Sequence, residues 1–217
     1  MPNDKEDGLN FYKDLSIDKS QNDDEIKKVY QDWADQYDKD NDNLLGTVSQ
    51  PNTVELLNNH TNDKNIEIVD IGCGTGLVGK FLKNKGYLYF DGLDISEEML
   101  KIAKSRGYRH LSIGSLQNKL PYKNNTYDAV FCVGVFTHGH VNSNGLDELI
   151  RITKKDGFII FTINEGVYED YQFDKKIPLM ENEGLIKVII FEKKDYMTKK
   201  NVMGYYCLAQ KVWLYFE

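Results

Sequence analysis

Hydrophobic residues form two patterns that alternate along the chain. Short apolar runs have the length of buried strands, and the segments between them carry apolar residues at helical spacing. Apolar strands joined by helical crossovers predict a parallel sheet covered by helices on both faces. The predicted strands are 66–71, 87–95, 108–113, 129–136 and 158–163. The predicted helices between them begin near residues 77, 97 and 146.

The two ends of the chain depart from this alternation. A helix is predicted over Asp23–Lys39, because its acidic first turn suits a helix N-terminus. A second helix is predicted to begin near Pro51. After residue 164 we expect a helix near 171–183 and strands at 185–191 and 205–216, the last lying antiparallel at the sheet edge. The apolar face of the first helix consists of Ile26, Val29, Tyr30, Trp33 and Tyr37.

Composition limits the chain to one domain and to few classes of partner. With 217 residues, 41% of them hydrophobic, the chain can bury a sizeable core and form one compact domain with at most a small appendage, and it has no room for two full domains. Its 27 basic and 34 acidic residues give a net charge of −7, which predicts no nucleic-acid partner. No apolar run approaches the roughly 20 residues of a membrane span. Residues 1–22 predict a polar arm without a signal-peptide core, and the three cysteines are far apart, so we expect a cytoplasmic protein.

A glycine-rich turn after the first predicted strand carries the strongest chemical signal. Residues 70–76 read Asp-Ile-Gly-Cys-Gly-Thr-Gly, which places a carboxylate and three glycines between a strand and a helix. Glycines let a ligand lie against the main chain, and the helix N-terminus supplies free N–H donors. In an open α/β sheet, this crevice beyond the strand ends is where ligands bind.

Two kinds of cofactor compete for this turn. Gly74-x-Gly76-x-x-Gly79 matches the dinucleotide fingerprint, and Asp94 lies 18 residues after Gly76, near the position of a ribose-binding acid. Asp70, however, would repel a pyrophosphate. It suits a ligand that carries an ammonium or sulfonium charge, and S-adenosylmethionine carries both.

Further motifs follow the glycine-rich turn in a fixed order. After 70–76 come Gly-Leu-Asp-Ile-Ser at 92–96, Met-Leu at 99–100, Leu-Pro-Tyr at 120–122, Tyr-Asp-Ala-Val at 127–130, and 149–157. With this ordered set, the chain resembles the class I S-adenosylmethionine-dependent methyltransferases over about residues 30–163. This resemblance implies S-adenosylmethionine as the cofactor and S-adenosylhomocysteine as the product. It also implies a Rossmann-like, seven-stranded, mostly parallel sheet with helices on both faces, an antiparallel last strand and an N-terminal helical lid.

A narrower resemblance covers two further segments. Residues 30–38 and 134–141 are similar to the methyltransferase-like proteins named for the Williams–Beuren syndrome chromosome region, which brings no settled substrate. The family pattern divides 23–217, read as a single methyltransferase domain, into three parts. These are a helical lid at 23–64, a cofactor-binding core at 65–163, and an acceptor-side segment with the last strands at 164–217.

The resemblance also implies where the cofactor binds. Asp94 would accept hydrogen bonds from the ribose hydroxyls, and Ile95 and Met99 would flank the adenine. Many relatives carry an acid for the adenine amino group where this chain has Ser115, so adenine recognition is left to backbone groups, Ser115 or Gln117. The residues predicted to bind the cofactor are Tyr30, Trp33, Tyr37, Asp70, Gly72, Cys73, Gly74, Gly76, Asp94, Ile95, Met99, Ser115, Leu116 and Val133.

Two histidines follow the fourth predicted strand, at the expected rim of the site. His138 and His140 are the candidate catalytic residues, because a neutral imidazole can take a proton from the methyl acceptor near pH 7. A His-x-His pair could also ligate a metal, but no third ligand lies nearby in the sequence, so we predict no metal.

These observations predict a methyltransferase that acts on an oxygen or nitrogen nucleophile, with a small-molecule acceptor favoured and a protein acceptor left open. Tyr168, Tyr171, Phe173 and Met180 are expected to help form the acceptor pocket. One alternative is a partner protein that binds S-adenosylmethionine without catalysis. Another is an NAD-dependent oxidoreductase, although no Tyr-x-x-x-Lys dyad is present.

Overall fold

The computed structural model describes residues 23–212, and a seven-stranded sheet forms its centre. The strand order is β3-β2-β1-β4-β5-β7-β6, and β7 runs in the direction opposite to that of the other six strands. The predicted Rossmann-like, mostly parallel sheet with an antiparallel last strand is confirmed. The strands are β1 Glu67–Ile71, β2 Tyr89–Asp94, β3 Leu111–Ile113, β4 Tyr127–Phe136, β5 Thr153–Asn164, β6 Ile186–Met197 and β7 Val202–Lys211.

Helices cover both faces of the sheet, as predicted. Alternate residues of β1 point to opposite faces: Val69 and Ile71 pack with α5 and α6, whereas Ile68 packs with α2, α3 and α4. Each face therefore has its own apolar core. The helices are α1 Asp23–Asp40, α2 Ser49–Asn58, α3 Leu77–Asn84, α4 Glu97–Ala103, α5 Gly145–Ile152 and α6 Phe173–Asn182.

Several predicted strand ends were wrong, and polar residues explain most of the differences. The third strand begins at Leu111 rather than at 108, because Tyr108 turns its side chain inward to Asp70. The fifth strand starts at Thr153, so it includes a charged segment that the apolar pattern did not reveal. The sixth strand runs on to Met197, because an edge strand tolerates charged residues on its exposed side.

The last strand also differs from its predicted bounds of 205–216. It begins at Val202 and ends at Lys211, and the predicted part after 212 lies outside the described residues. The predicted polar arm at 1–22 lies outside them as well. Within 23–212, no helix has the length and apolar character that a membrane crossing requires.

Parallel pairing brings the functional segments to one edge of the sheet. Strands β1, β2, β3 and β4 run in the same direction, so the segments that follow them all lie at their carboxyl ends. Helix α1 supplies residues to the wall of the cleft at this edge. The site is therefore assembled from four strand ends and one helix.

Candidate active site

A cleft lies between the carboxyl edge of the sheet and α1. It holds about 640 Å³ of space, including its open mouth. The predicted residues that line it are Tyr30, Tyr37, Gly72, Gly74, Asp94, Ile95, Ser115, Leu116, Val133 and His140. The predicted residues that do not line it are Trp33, Asp70, Cys73, Gly76, Met99 and His138.

The glycine-rich turn after β1 presents its backbone to this cleft. Gly72, Gly74 and Gly76 have φ values of +74°, +53° and +89°, a region that favours glycine. A Cβ at Gly72 would lie 2.2 Å from Val135 Cγ2, so this position has no room for a side chain. A Cβ at Gly74 would meet no atom within 4 Å, which leaves that part of the turn open.

Asp94 is fixed at the end of β2 by two backbone donors. Its Oδ2 accepts a hydrogen bond from Gly74 N at 2.8 Å, and its Oδ1 accepts one from Ser96 N at 2.9 Å. Burial raises the pKa of Asp94, and these backbone hydrogen bonds oppose that shift by favouring the charged form. Each carboxylate oxygen has a second lone pair. Asp94 can therefore accept further hydrogen bonds from a pair of ligand hydroxyls.

Asp70 lies fully buried beneath the turn. Tyr108 donates its hydroxyl hydrogen to Asp70 Oδ2 at 2.6 Å, and Asp70 Oδ1 has no hydrogen-bond partner. Burial raises the pKa of Asp70 to about 7; the Tyr108 hydrogen bond lowers it, and the charge of Asp94 raises it further. A nearby cation would favour the charged form of this carboxyl group and lower its pKa.

The two ends of α1 are hydrogen-bonded to loops that border the cleft. At the start of the helix, Ser115 donates its hydroxyl hydrogen to Asp23 Oδ1 at 3.0 Å. Near the end of the helix, Thr75 donates to Asp38 Oδ1 at 2.6 Å, and Arg106 forms an ion pair with the same carboxylate. The helix is thus held over the cleft by residues from the turn and from the loop after β3.

The aromatic face of α1 divides into two roles. Tyr30 and Tyr37 line the cleft, whereas Trp33 is fully buried and donates from Nε1 to Asp40 Oδ2 at 2.7 Å. The Trp33 ring packs against Tyr37, with 4.8 Å between ring centroids. Trp33 therefore supports the two tyrosines from behind in this structure.

The two histidines after β4 occupy different surroundings. His140 is buried, its Nδ1 donates to the His138 carbonyl at 2.7 Å, and its Nε2 accepts from the Tyr30 hydroxyl at 3.0 Å. Burial is the main cause that lowers the pKa of His140 to about 4, so its imidazole is neutral at pH 7. His138 packs against Gly166 instead, where an added Cβ would lie 2.5 Å from His138 Nε2.

The far end of the cleft is formed by the segment after β2 and the loop after β3. Ile95, Ser115 and Leu116 line it, with Val133 of β4 on another wall. Met99 is fully buried and packs behind this wall rather than lining it. The side chains of Ile95, Leu116 and Val133 make this end of the cleft mainly apolar, and Ser115 contributes a polar group.

Sequence reasoning missed several residues of the cleft. Gly134 and Val135 at the end of β4 and Val141 in the loop after it line the cleft, although the resemblance over residues 134–141 assigned them no role there. Asp23 and Ile26 of α1 also line the cleft. Helical spacing places residues 23, 26, 30 and 37 on one face, so the same periodicity that indicated the tyrosines could have indicated these two.

The predicted acceptor-side residues are dispersed. Phe173 and Met180 are buried in the core and do not line the cleft. The Tyr171 hydroxyl accepts a hydrogen bond from Gly139 N at 3.0 Å, which fixes the loop that carries the histidines. Among residues 23–212, no group of three or more His, Cys, Asp or Glu side chains could hold a metal ion.

The geometry of this edge agrees with comparisons against known proteins. A family model described as a methyltransferase domain matches residues 69–161, which run from β1 into β5 and include the glycine-rich turn and Asp94. Human methyltransferase-like protein 27 is 36% identical over 137 residues, covering 61% of this chain and 55% of that protein. Residues 69–161 therefore form a methyltransferase domain, and the chain has the fold of the S-adenosylmethionine-dependent methyltransferases. S-Adenosylmethionine is the cofactor of this family, and the dinucleotide reading of the turn is not supported.

Other relatives extend the match along the chain. Two uncharacterized proteins of Methanocaldococcus jannaschii, MJ1252 and MJ0638, are 33% and 30% identical. These matches cover 80% and 73% of this chain, and 64% and 73% of those proteins. The chain spans 55% of the human relative and 64% of MJ1252, so it accounts for part of their lengths.

A chain from the solved Haloferax volcanii complex that contains the Trm112 methyltransferase activator shares the fold of this chain. The TM-score is 0.64 at 16% identity, and the match covers 88% of this chain and 100% of that chain. The named acceptors of further relatives differ widely. An 18S rRNA (guanine-N(7))-methyltransferase of Bos taurus is 39% identical over 34% of this chain and 25% of its own length. A ubiquinone biosynthesis O-methyltransferase of Rickettsia canadensis is 29% identical over 69% of this chain and 65% of its own length.

Proposed function

We propose that this methyltransferase transfers a methyl group to an oxygen or nitrogen nucleophile of a small molecule. The observation that carries this proposal is the attachment of α1 across the cleft. Asp23 is bonded to Ser115 at one end, Asp38 to Thr75 at the other, and Tyr30 in the middle to the loop after β4. A cleft covered in this way admits a small acceptor more readily than a folded polymer.

The residues of the cleft suit the family cofactor in charge and in hydrogen-bonding capacity. S-Adenosylmethionine supplies a methyl group on a sulfonium, which leaves as a neutral thioether after transfer. In our proposal, Asp94 holds the ribose through its free lone pairs, and the unpartnered oxygen of Asp70 stabilises the positive end of the cofactor. The faces of Tyr30 and Tyr37 add a favourable surface for a cation.

The hydrogen bond between Tyr30 and His140 limits the chemical class of the methyl acceptor. His140 accepts from the Tyr30 hydroxyl, so the phenol oxygen is the group that can accept a hydrogen bond from a nucleophile. A histidine whose pKa is lowered to about 4 holds a proton poorly at pH 7. We therefore propose an acceptor that is nucleophilic without losing a proton to a strong base, such as an aromatic ring nitrogen or a carboxylate. His138 remains a predicted base; it lies beside Gly166 and does not line the cleft.

Two kinds of relative bear on the identity of the methyl acceptor. The resemblance to the Williams–Beuren region proteins over residues 30–38 and 134–141 stays a prediction, since it identifies no acceptor. The relatives named for tRNA and rRNA make RNA an acceptor that the test must include. The net charge of −7 argues against RNA for this chain, because phosphate binding is favoured by basic surfaces.

The test is transfer of labelled methyl groups to a fractionated cell extract. The protein is incubated with methyl-labelled S-adenosylmethionine and separately with the small-molecule, RNA and protein fractions. We expect label in the small-molecule fraction, loss of label with Asp94→Ala, and retention with Asp35→Asn, an exposed acid on α1. Label in the RNA or protein fraction alone would refute the small-molecule acceptor. Cofactor binding without label in any fraction would favour the non-catalytic alternative.

A further inference from the structure

The base-binding end of the cleft lies next to Asp94 along the sheet edge. Strand β3 pairs with β2 so that Ile113 lies beside Asp94, and Gly114 N donates to the Asp94 carbonyl at 3.0 Å. The loop that begins at Gly114 therefore starts where the ribose-binding acid ends β2. A nucleoside whose ribose is held by Asp94 has its base within reach of this loop.

The loop after β3 has no acidic side chain at this end of the cleft, but helix α1 contributes one. Asp23, the first residue of the helix, lines the cleft beside Ser115. Ser115 donates its hydroxyl hydrogen to Asp23 Oδ1 at 3.0 Å, and Asn118 Nδ2 donates to Asp23 Oδ2 at 3.3 Å. Because the Ser115 oxygen in turn accepts from Gln117 N at 3.2 Å, its hydrogen is committed to Asp23. The carboxylate of Asp23 on α1 therefore lies next to Ser115, where the loop itself has only a hydroxyl group.

A second polar group of the same wall has no partner. Gln117 lines the cleft, and its side-chain Nε2 is buried without a hydrogen-bond acceptor. Buried polar groups are nearly always paired in folded proteins. An amide nitrogen left in this state indicates a ligand atom that accepts a hydrogen bond at this end of the cleft.

The two groups together match one nucleobase edge. Adenine presents an exocyclic amino donor beside a ring-nitrogen acceptor, which complements a carboxylate and an amide N–H. A 6-oxo purine presents the reverse, an oxygen acceptor beside a ring N–H donor. We propose that Asp23 and Gln117 read the adenine base of the cofactor, so that α1 supplies the specificity that the loop after β3 lacks.

This assignment makes base recognition depend on the covering helix. Asp23 belongs to α1, whereas Asp94 and Gln117 belong to the sheet edge, so the complete base site exists only when α1 is in place. A role for Asp23 as a mere attachment of the helix to Ser115 would affect all ligands of the cleft alike. A role in reading the base would affect ligands according to their base, and this difference is measurable.

The experiment is calorimetric titration with S-adenosylhomocysteine and with its 6-oxo analogue, S-inosylhomocysteine. We expect wild type to prefer the adenine ligand by about tenfold or more, the size of one hydrogen bond to a charged group. Asp23→Asn keeps the size of the side chain and an oxygen for Ser115, but offers an amide donor. It should weaken S-adenosylhomocysteine binding by about tenfold without weakening S-inosylhomocysteine binding.

Asp35→Asn is the matched control, because it makes the same change at an exposed position of the same helix and should leave both affinities unchanged. Equal weakening of both ligands by Asp23→Asn would overturn the proposal and leave Asp23 as an attachment point. Lack of discrimination by wild type would also overturn it. Retained or improved binding of the 6-oxo ligand cannot arise from misfolding, so the variant remains informative. The result is independent of which methyl acceptor the protein uses.

Discussion

The buried carboxyl group of Asp70 predicts an unusual dependence of stability on pH. Its pKa is raised from 3.8 to about 7, chiefly by burial, so the folded protein binds this proton more tightly than the unfolded chain does. The stability that the bound proton contributes is fully present below about pH 4 and is lost as pH rises through about 7. We therefore expect Asp70 to lower the free energy of unfolding of the ligand-free protein as the pH rises from 5 to 8.

The magnitude follows from the size of the shift. A change of roughly three units at about 1.4 kcal/mol per unit corresponds to about 4 kcal/mol in the free energy of unfolding. About 2 to 3 kcal/mol of this falls between pH 5 and pH 8, because part is already lost below pH 5. Asp70→Asn removes the titration and keeps an oxygen to accept from Tyr108. Its unpaired amide nitrogen adds a pH-independent cost of about 1 to 3 kcal/mol.

The assay is urea unfolding of wild type, Asp70→Asn and Asp35→Asn at pH 5, 6, 7 and 8, without cofactor. We expect the stability of Asp70→Asn to rise relative to wild type by about 2 to 3 kcal/mol across this range. The exposed control Asp35→Asn should follow the slope of wild type. Parallel curves for wild type and Asp70→Asn would refute the reasoning, since they would mean that Asp70 titrates alike in the folded and unfolded states.

Two further substitutions test the contacts of α1. His140→Ala removes the acceptor of the Tyr30 hydroxyl, so kcat with an identified acceptor should fall about tenfold while the Kd of S-adenosylhomocysteine stays nearly constant, as measured by initial rates and calorimetry. Because the pKa of His140 is about 4, the wild-type pH–rate profile should show no inflection from this group between pH 6 and pH 8. Asp38→Asn weakens the bond to Thr75; amide hydrogen exchange in α1 should accelerate and ligand Kd should rise roughly fivefold, whereas Asp35→Asn should change neither.

The fold and the placement of the glycine-rich turn and Asp94 at the cleft could be predicted because their signals are local. A strand, a glycine-rich turn and a helix follow one another in residues 67–84, and the positive φ values at the turn allow little besides glycine. The Ser96 side chain accepts from Met99 N as a helix cap, which also follows from adjacent residues. Such features need no knowledge of distant parts of the chain.

The remaining contacts could not be predicted because they join residues far apart in sequence. Tyr30 meets His140 across 110 positions, and Asp23 meets Ser115 across 92. Helical periodicity indicated an aromatic face on α1 but not that Trp33 would be buried and hydrogen-bonded to Asp40. Which residue of an amphipathic face reaches the cleft depends on how the whole helix is placed, and tertiary contacts decide that.

The same distinction explains why the family can be identified when the acceptor cannot. The turn after β1 is constrained by backbone geometry, because its positive φ values favour glycine, and Asp94 is tied to the turn by the hydrogen bond from Gly74 N. The proposed acceptor side consists of side chains of α1 and of the loop after β4, which the sheet does not constrain. Relatives of this chain accordingly carry names as different as 18S rRNA (guanine-N(7))-methyltransferase and ubiquinone biosynthesis O-methyltransferase. The identity of the acceptor must therefore be sought through Tyr30, His140 and their neighbours rather than through the glycine-rich turn.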